Sequence, residues 1–118
     1  MKPKIKKLWV AALRSGDYKK TTGTLRDDHG FCCLGVLCNL HAQAHPRIAK
    51  KQTDPDVYLG ESALLPEEVR EWAGLKHDDG DEVIVRGRNH TLPDLNDNGT
   101  SGKPWSFKEI ADVIERQL

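Results

Sequence analysis

The stretch GFCCLGVLCNLH, Gly30–His41, places Cys32, Cys33, Cys38 and His41 within ten residues. A structural zinc site would need four ligands converging on a tetrahedron, usually written as two close pairs. Here Cys33, Cys38 and His41 read C-x4-C-x2-H, and Cys38, His41 and His45 recur at i, i+3 and i+7 on one helical face. His29 or His77 could complete the set, yet the spacing contains no second pair. A nucleophilic thiol would need a pKa lowered by a cation or a helix N-terminus. Cys32 and Cys33 precede a predicted helix and lie close to Asp28 and His29, so a Cys-His-Asp arrangement is a second reading. A disulfide is the third, and an odd number of thiols in a reducing cytoplasm argues against it. Against all three stand the neighbours Phe31, Leu34, Val36, Leu37 and Leu40. Cysteine among such residues packs as a small hydrophobe. The expectation is three reduced core thiols, with no metal and no cofactor.

Other polar groups offer weaker patterns. In GRNHTLPDLNDNG, His90 with Pro93 and Asn96 has the outline of an HNH nuclease, but the second histidine and the preceding acidic residue are missing. His29 lies beside Asp27 and Asp28. A small hydrolase or nuclease using His29 or His90 with nearby carboxylates is the enzymatic alternative. Asp78, Asp79, Asp81 and Glu82 lack the spacing of a calcium loop. No phosphate loop, dinucleotide fingerprint or nucleophile elbow is present. The remaining candidate is a recognition surface of Tyr18, Lys19, Lys20, Arg26, Arg86 and Arg88. These would meet on one face if the strands containing 24–26 and 83–86 share a sheet. Tyrosine and arginine are the types that most often anchor interfaces, and a guanidinium fork suits carboxylate or phosphate.

The chain that must position these groups has 118 residues, the size of one domain, taken as 1–118. Lys plus Arg and Asp plus Glu are 18 each, so the net charge is zero. A dedicated nucleic-acid binder usually carries a basic excess, and nucleic acid is therefore an unfavoured partner. Local basic patches exist at Lys2, Lys4, Lys6 and Lys7 and at Arg47, Lys50 and Lys51. No apolar run is long enough to span a bilayer or to make a signal peptide. The expected location is the bacterial cytoplasm.

Ile5, Leu8, Trp9, Ala12 and Leu13 form one helical stripe, opened by Pro3 and stopped by Gly16. Residues 21–25 and 31–33 favour extended structure about a turn at Asp27–Gly30. Helical spacing begins at Leu34 and runs to about Ala44, with Gly35 at the strand-to-helix corner. Residues 46–56 read as a mobile surface loop, and 57–59 as a short strand. Pro66, Glu67, Glu68 and Gly74 bracket a short helix. Residues 82–88 read as a single strand, and Thr91 caps one or two helical turns. The last helix carries a capping box, Ser106 with Glu109, and a staple, Trp105 with Ile110. S-x-x-E-I-A also resembles the entry of a helix-turn-helix, which makes a nucleic-acid-binding regulator a further alternative. Its outward residues would include Glu109, Asp112 and Glu115, a poor surface for phosphates.

Three segments carry a resemblance: WVAALRSGDYKKTTGTLRDDHGFCCLGVLCNL, LLPEEVREWAGL and LNDNGTSGKPWSFKEIADVIE. Together they resemble a group of small phage and prophage proteins that share W-x-x-A-L-R-S-G-x-Y, a Y/F-C-C-L-G-V-L segment and a final L-N-D…S-F-x-x-I-A. The resemblance implies a setting, an infected or lysogenic bacterium, and transfers no activity and no site residue. The expected fold is α+β, a small antiparallel sheet of short strands packed against N-terminal, central and C-terminal helices. The expected function is a phage accessory protein, a non-enzymatic binder of a host protein or small ligand.

Overall fold

The computed structural model describes residues 1–118. Its elements in chain order are α1 (Pro3–Arg14), β1 (Arg26–Asp27), β2 (Gly30–Phe31), α2 (Cys33–Ala44), α3 (Pro46–Lys50), α4 (Glu67–Ala73), β3 (Val83–Val85), β4 (Arg88–His90), α5 (Leu92–Asp97) and α6 (Phe107–Gln117). The fold is α+β. Its strands form two separate antiparallel hairpins, β1–β2 and β3–β4, rather than the one sheet expected. The premise that residues 24–26 and 83–86 share a sheet is thereby overturned.

α2 lies at the centre. Cys33, Leu34, Val36, Leu37, Cys38 and His41 are all buried on it. α1 packs along α6 through Ile5, Trp9, Val10 and Leu13 against a stripe of Phe107, Ile110, Ala111, Val113 and Ile114. The capping box at Ser106 is formed in both directions, which accounts for the clean start of α6. Arg14 of α1 holds Asp112 and Glu115 of α6 at 2.7 and 2.8 Å. Those groups are exposed, so solvent and salt limit what the pair contributes.

Residues from three distant segments converge on the start of α2. The Trp9 indole N–H donates to the Cys33 carbonyl at 2.9 Å. The Asn96 side-chain oxygen accepts from the Cys33 N–H at 3.1 Å, and its amide donates to the Thr21 carbonyl at 3.0 Å and to Asp97 at 2.9 Å. Asn96 thus caps α2 from another element. Gly35 is explained by close approach: a Cβ there would sit 1.8 Å from the Leu25 carbonyl oxygen. It lies inside the first turn of α2, not at a corner before it.

Four local expectations are corrected. Residues 46–50 are a short helix, opened by Pro46, where a loop was expected. The stretch 82–88 is not one strand: Arg86 (φ 51°) and Gly87 (φ 77°) make a two-residue turn between β3 and β4. Positive φ at both positions matches the twist of a tight hairpin. The extended segments around residue 28 shrink to two-residue strands, with Asp28 and His29 alone at the turn. Residues 57–59 contribute one isolated bridge, Tyr58 to Glu61.

Candidate functional site

The cysteines are packing residues in this fold. Cys32, Cys33 and Cys38 are free and buried. Cys32 is the N-cap of α2, and its sulfur accepts weakly from the Gly35 N–H at 3.4 Å. The Cys33 thiol donates weakly to the Leu92 carbonyl at 3.7 Å. Burial pushes all three thiols up, because a thiolate would lose its solvation. At the helix N-terminus, desolvation outweighs the dipole, and His29 is exposed on the hairpin turn. No His, Cys, Asp or Glu side chains gather in threes with a geometry suited to a metal ion.

His41 instead belongs to an aromatic cluster. Its ring stacks on His45 at 4.0 Å and meets Trp72 edge-on at 5.2 Å. The Tyr58 hydroxyl hydrogen-bonds His41 Nδ1, and His45 Nδ1 donates to the His41 carbonyl at 2.7 Å. Burial and then the neighbouring His45 drive the His41 pKa down to about 4. Burial also pushes the Tyr58 phenol up to about 12. The pair is a neutral bond that ties the 45–60 segment to α2.

The enzymatic candidates are divided between the hairpins. Asp27, beside His29, serves the turn: it accepts from the backbone of His29 and Gly30 and from the Thr21 hydroxyl at 2.8 Å. These bonds, the Thr21 one foremost, hold its carboxyl below the usual range. His90 Nδ1 lies 3.7 Å from Asp94 at the foot of α5, within one helical turn.

The recognition candidates separate into two groups. Tyr18 and Arg26 come together around Phe31: the Tyr18 ring meets it edge-on at 5.1 Å, and the Arg26 guanidinium sits over it at 4.8 Å from the centroid. The Tyr18 hydroxyl donates to Asn39 at 2.6 Å, which locks the ring onto α2. Arg26 makes neither a side-chain hydrogen bond nor an ion pair; the basic side chains set within 4 Å of carboxylates are Arg14, Arg70 and His90. Lys20 turns inward and donates to the Asn96 carbonyl, so it braces the fold. Lys19 is exposed beside it. Arg86 and Arg88 are exposed on the other hairpin.

Arg26 and Phe31 form one wall of a cleft whose floor is Gly35 and Cys38 on α2. Asn39, Gln52, Asp56 and Tyr58 supply the remaining polar lining. The last three come from the 52–58 segment, held there by Gln52 donating to the Val57 carbonyl at 2.9 Å and by Tyr58 bonding His41. The free volume is about 30 Å³. That admits one functional group and falls far short of the several hundred Å³ of a small-molecule site. Sequence reasoning missed Asn39, Gln52 and Asp56, because nothing in their spacing links the 52–56 segment to α2.

Fold and site define a small α+β domain with a narrow, polar-walled cleft flanked by an aromatic-backed arginine. The chain belongs to the family described as "Domain of unknown function (DUF8296)", whose model matches residues 1–118. No curated protein and no solved structure matches it.

Proposed function

We propose that this is a phage or prophage accessory protein that acts by binding a host protein, not by catalysis, and that Arg26 is its anchor. The observation that carries this reading is the unpaired Arg26 guanidinium held over Phe31 at the mouth of the cleft. A guanidinium already ordered by a ring loses less freedom when it engages a carboxylate. The small volume supports a protein partner over a free small molecule: it admits the end of one side chain and not a whole metabolite. The phage setting rests on the sequence resemblance. The buried thiols and the neutral His41 offer no activated nucleophile or base, which supports binding over chemistry.

The test is affinity capture from infected or lysogenic cells with wild type and Arg26→Glu, after a melting curve has shown both to be folded. An interface arginine of this kind contributes about 2 kcal/mol, or roughly 30-fold in affinity. A partner lost with Arg26→Glu and kept with the exposed Lys19→Glu supports the reading. Unchanged recovery of every partner with Arg26→Glu overturns it.

A further inference from the structure

The charge of this chain is balanced only in total. Five of its 18 basic residues and none of its 18 acidic ones lie in residues 1–16. Of those five, Arg14 is paired, to Asp112 and Glu115. Lys2, Lys4, Lys6 and Lys7 take part in no ion pair. Lys2 and Lys4 line a groove with Ile5 and Leu8 of α1, Ala44 at the end of α2, and Trp72 of α4. Leu8 is 44% exposed, one of three large apolar side chains left open to solvent. Trp72 is half-buried, its inner edge set against His41 and His45. The groove therefore has an apolar floor, two unpaired ammonium groups at its rim and no carboxylate in its lining.

We propose that this groove docks an acidic amphipathic segment of a protein partner, with apolar side chains against Leu8 and Trp72 and carboxylates against Lys2 and Lys4. Charge complementarity selects the partner: unpaired lysines orient and speed the approach of an acidic segment, while the apolar contact supplies residence. Duplex nucleic acid presents phosphates but no apolar side chain to fill the floor. A lipid surface calls for a broad apolar face, whereas Leu8 is the single large apolar side chain that α1 exposes. The groove shares no residue with the Arg26 cleft, so this inference stands apart from the function proposed above.

The probe is a synthetic helical peptide of about 15 residues, with glutamates on one face and leucines on the other, titrated into the intact protein by fluorescence anisotropy. Three comparison ligands accompany it: the same peptide with every leucine replaced by serine, a duplex DNA oligonucleotide, and phosphatidylcholine vesicles containing phosphatidylglycerol. The expected result is binding of the amphipathic peptide that weakens about tenfold or more with Leu8→Asp, and similarly with Lys2→Glu/Lys4→Glu, and also weakens as salt rises. Both changes are at exposed positions, and a melting curve for each variant confirms folding. Lys108→Glu, the same charge reversal at an exposed position that lines neither surface, is expected to bind this peptide as wild type does. Absence of binding, equal binding of the serine peptide, or an equal loss on Lys108→Glu overturns the proposal. Tighter binding of DNA or vesicles that the same Leu8 and Lys variants abolish also overturns it, in favour of those partners.

Discussion

Replacing Asn96 by alanine should be among the most damaging single changes outside the apolar core. The side chain is fully buried and holds two backbone groups from distant segments: the Cys33 N–H and the Thr21 carbonyl. Neither has another partner among the hydrogen bonds of the fold. Alanine would leave both unsatisfied in the interior, at about 1–3 kcal/mol each, with a small void in addition. The expected loss is about 3–5 kcal/mol, a large share of the 5–15 kcal/mol typical of a domain. Asn96→Asp keeps the acceptor for Cys33 but sets a carboxylate against the Thr21 carbonyl and Asp97. It should be destabilising at neutral pH and partly relieved in acid. Urea denaturation followed by tryptophan fluorescence measures both, with an unchanged slope showing that stability alone has moved. Asn98→Ala is the control: its amide bonds Asp94 on the surface, and a change within about 0.5 kcal/mol is expected. If Asn96→Ala falls within about 1 kcal/mol of wild type, the reading of Asn96 as the cap of α2 is refuted.

Three other outcomes follow from the same structure. The His41 pKa falls from 6.5 to about 4 on folding, so below pH 6.5 the unfolded chain binds the extra proton. This residue's contribution is then intact above pH 6.5, declines between 6.5 and about 4, and is level below that; His41→Gln should flatten that interval in pH-dependent urea melts. The three thiols should react with an aromatic disulfide reagent at the rate of unfolding, and a stoichiometric reaction within seconds in native buffer would contradict their burial. Ser106→Ala should lower stability by about 1 kcal/mol by opening the capping box, and Ile114→Ala by about 2–5 kcal/mol because its side chain is fully buried, both read from thermal melts.

Elements with several local signals in agreement were legible in the sequence. α6 combined a capping box with an apolar stripe, and α4 ended at a left-handed Gly74 as its composition implied. The elements that were missed depend on tertiary partners or unusual backbone. Arg at a positive-φ turn position is not a hairpin signal, so β3 and β4 merged into one strand. α3 is a single turn and a half with no buried side chain, hence no periodicity to detect. The cysteine environment was readable because its neighbours are apolar. The role of Asn96 was readable in principle: Leu92, Leu95 and Asn96 fall at i, i+3 and i+4, so a polar residue stands in an apolar stripe and must find buried partners. The cleft was only half legible. Tyr18 and Arg26 were in the candidate set, but the hairpin positions of Arg86 and Arg88 and the arrival of the 52–58 segment are set by three-dimensional packing.

The proposed partner would bind through the face around Arg26 and Phe31. A photo-crosslinking amino acid placed at Phe31, and in a second variant at the exposed Lys108 of α6, tests it in infected or lysogenic cells. The expected result is one discrete adduct from position 31, absent from position 108 and abolished when Arg26→Glu is added. The same adducts from both positions, or an adduct from position 31 that persists undiminished with Arg26→Glu, would contradict it.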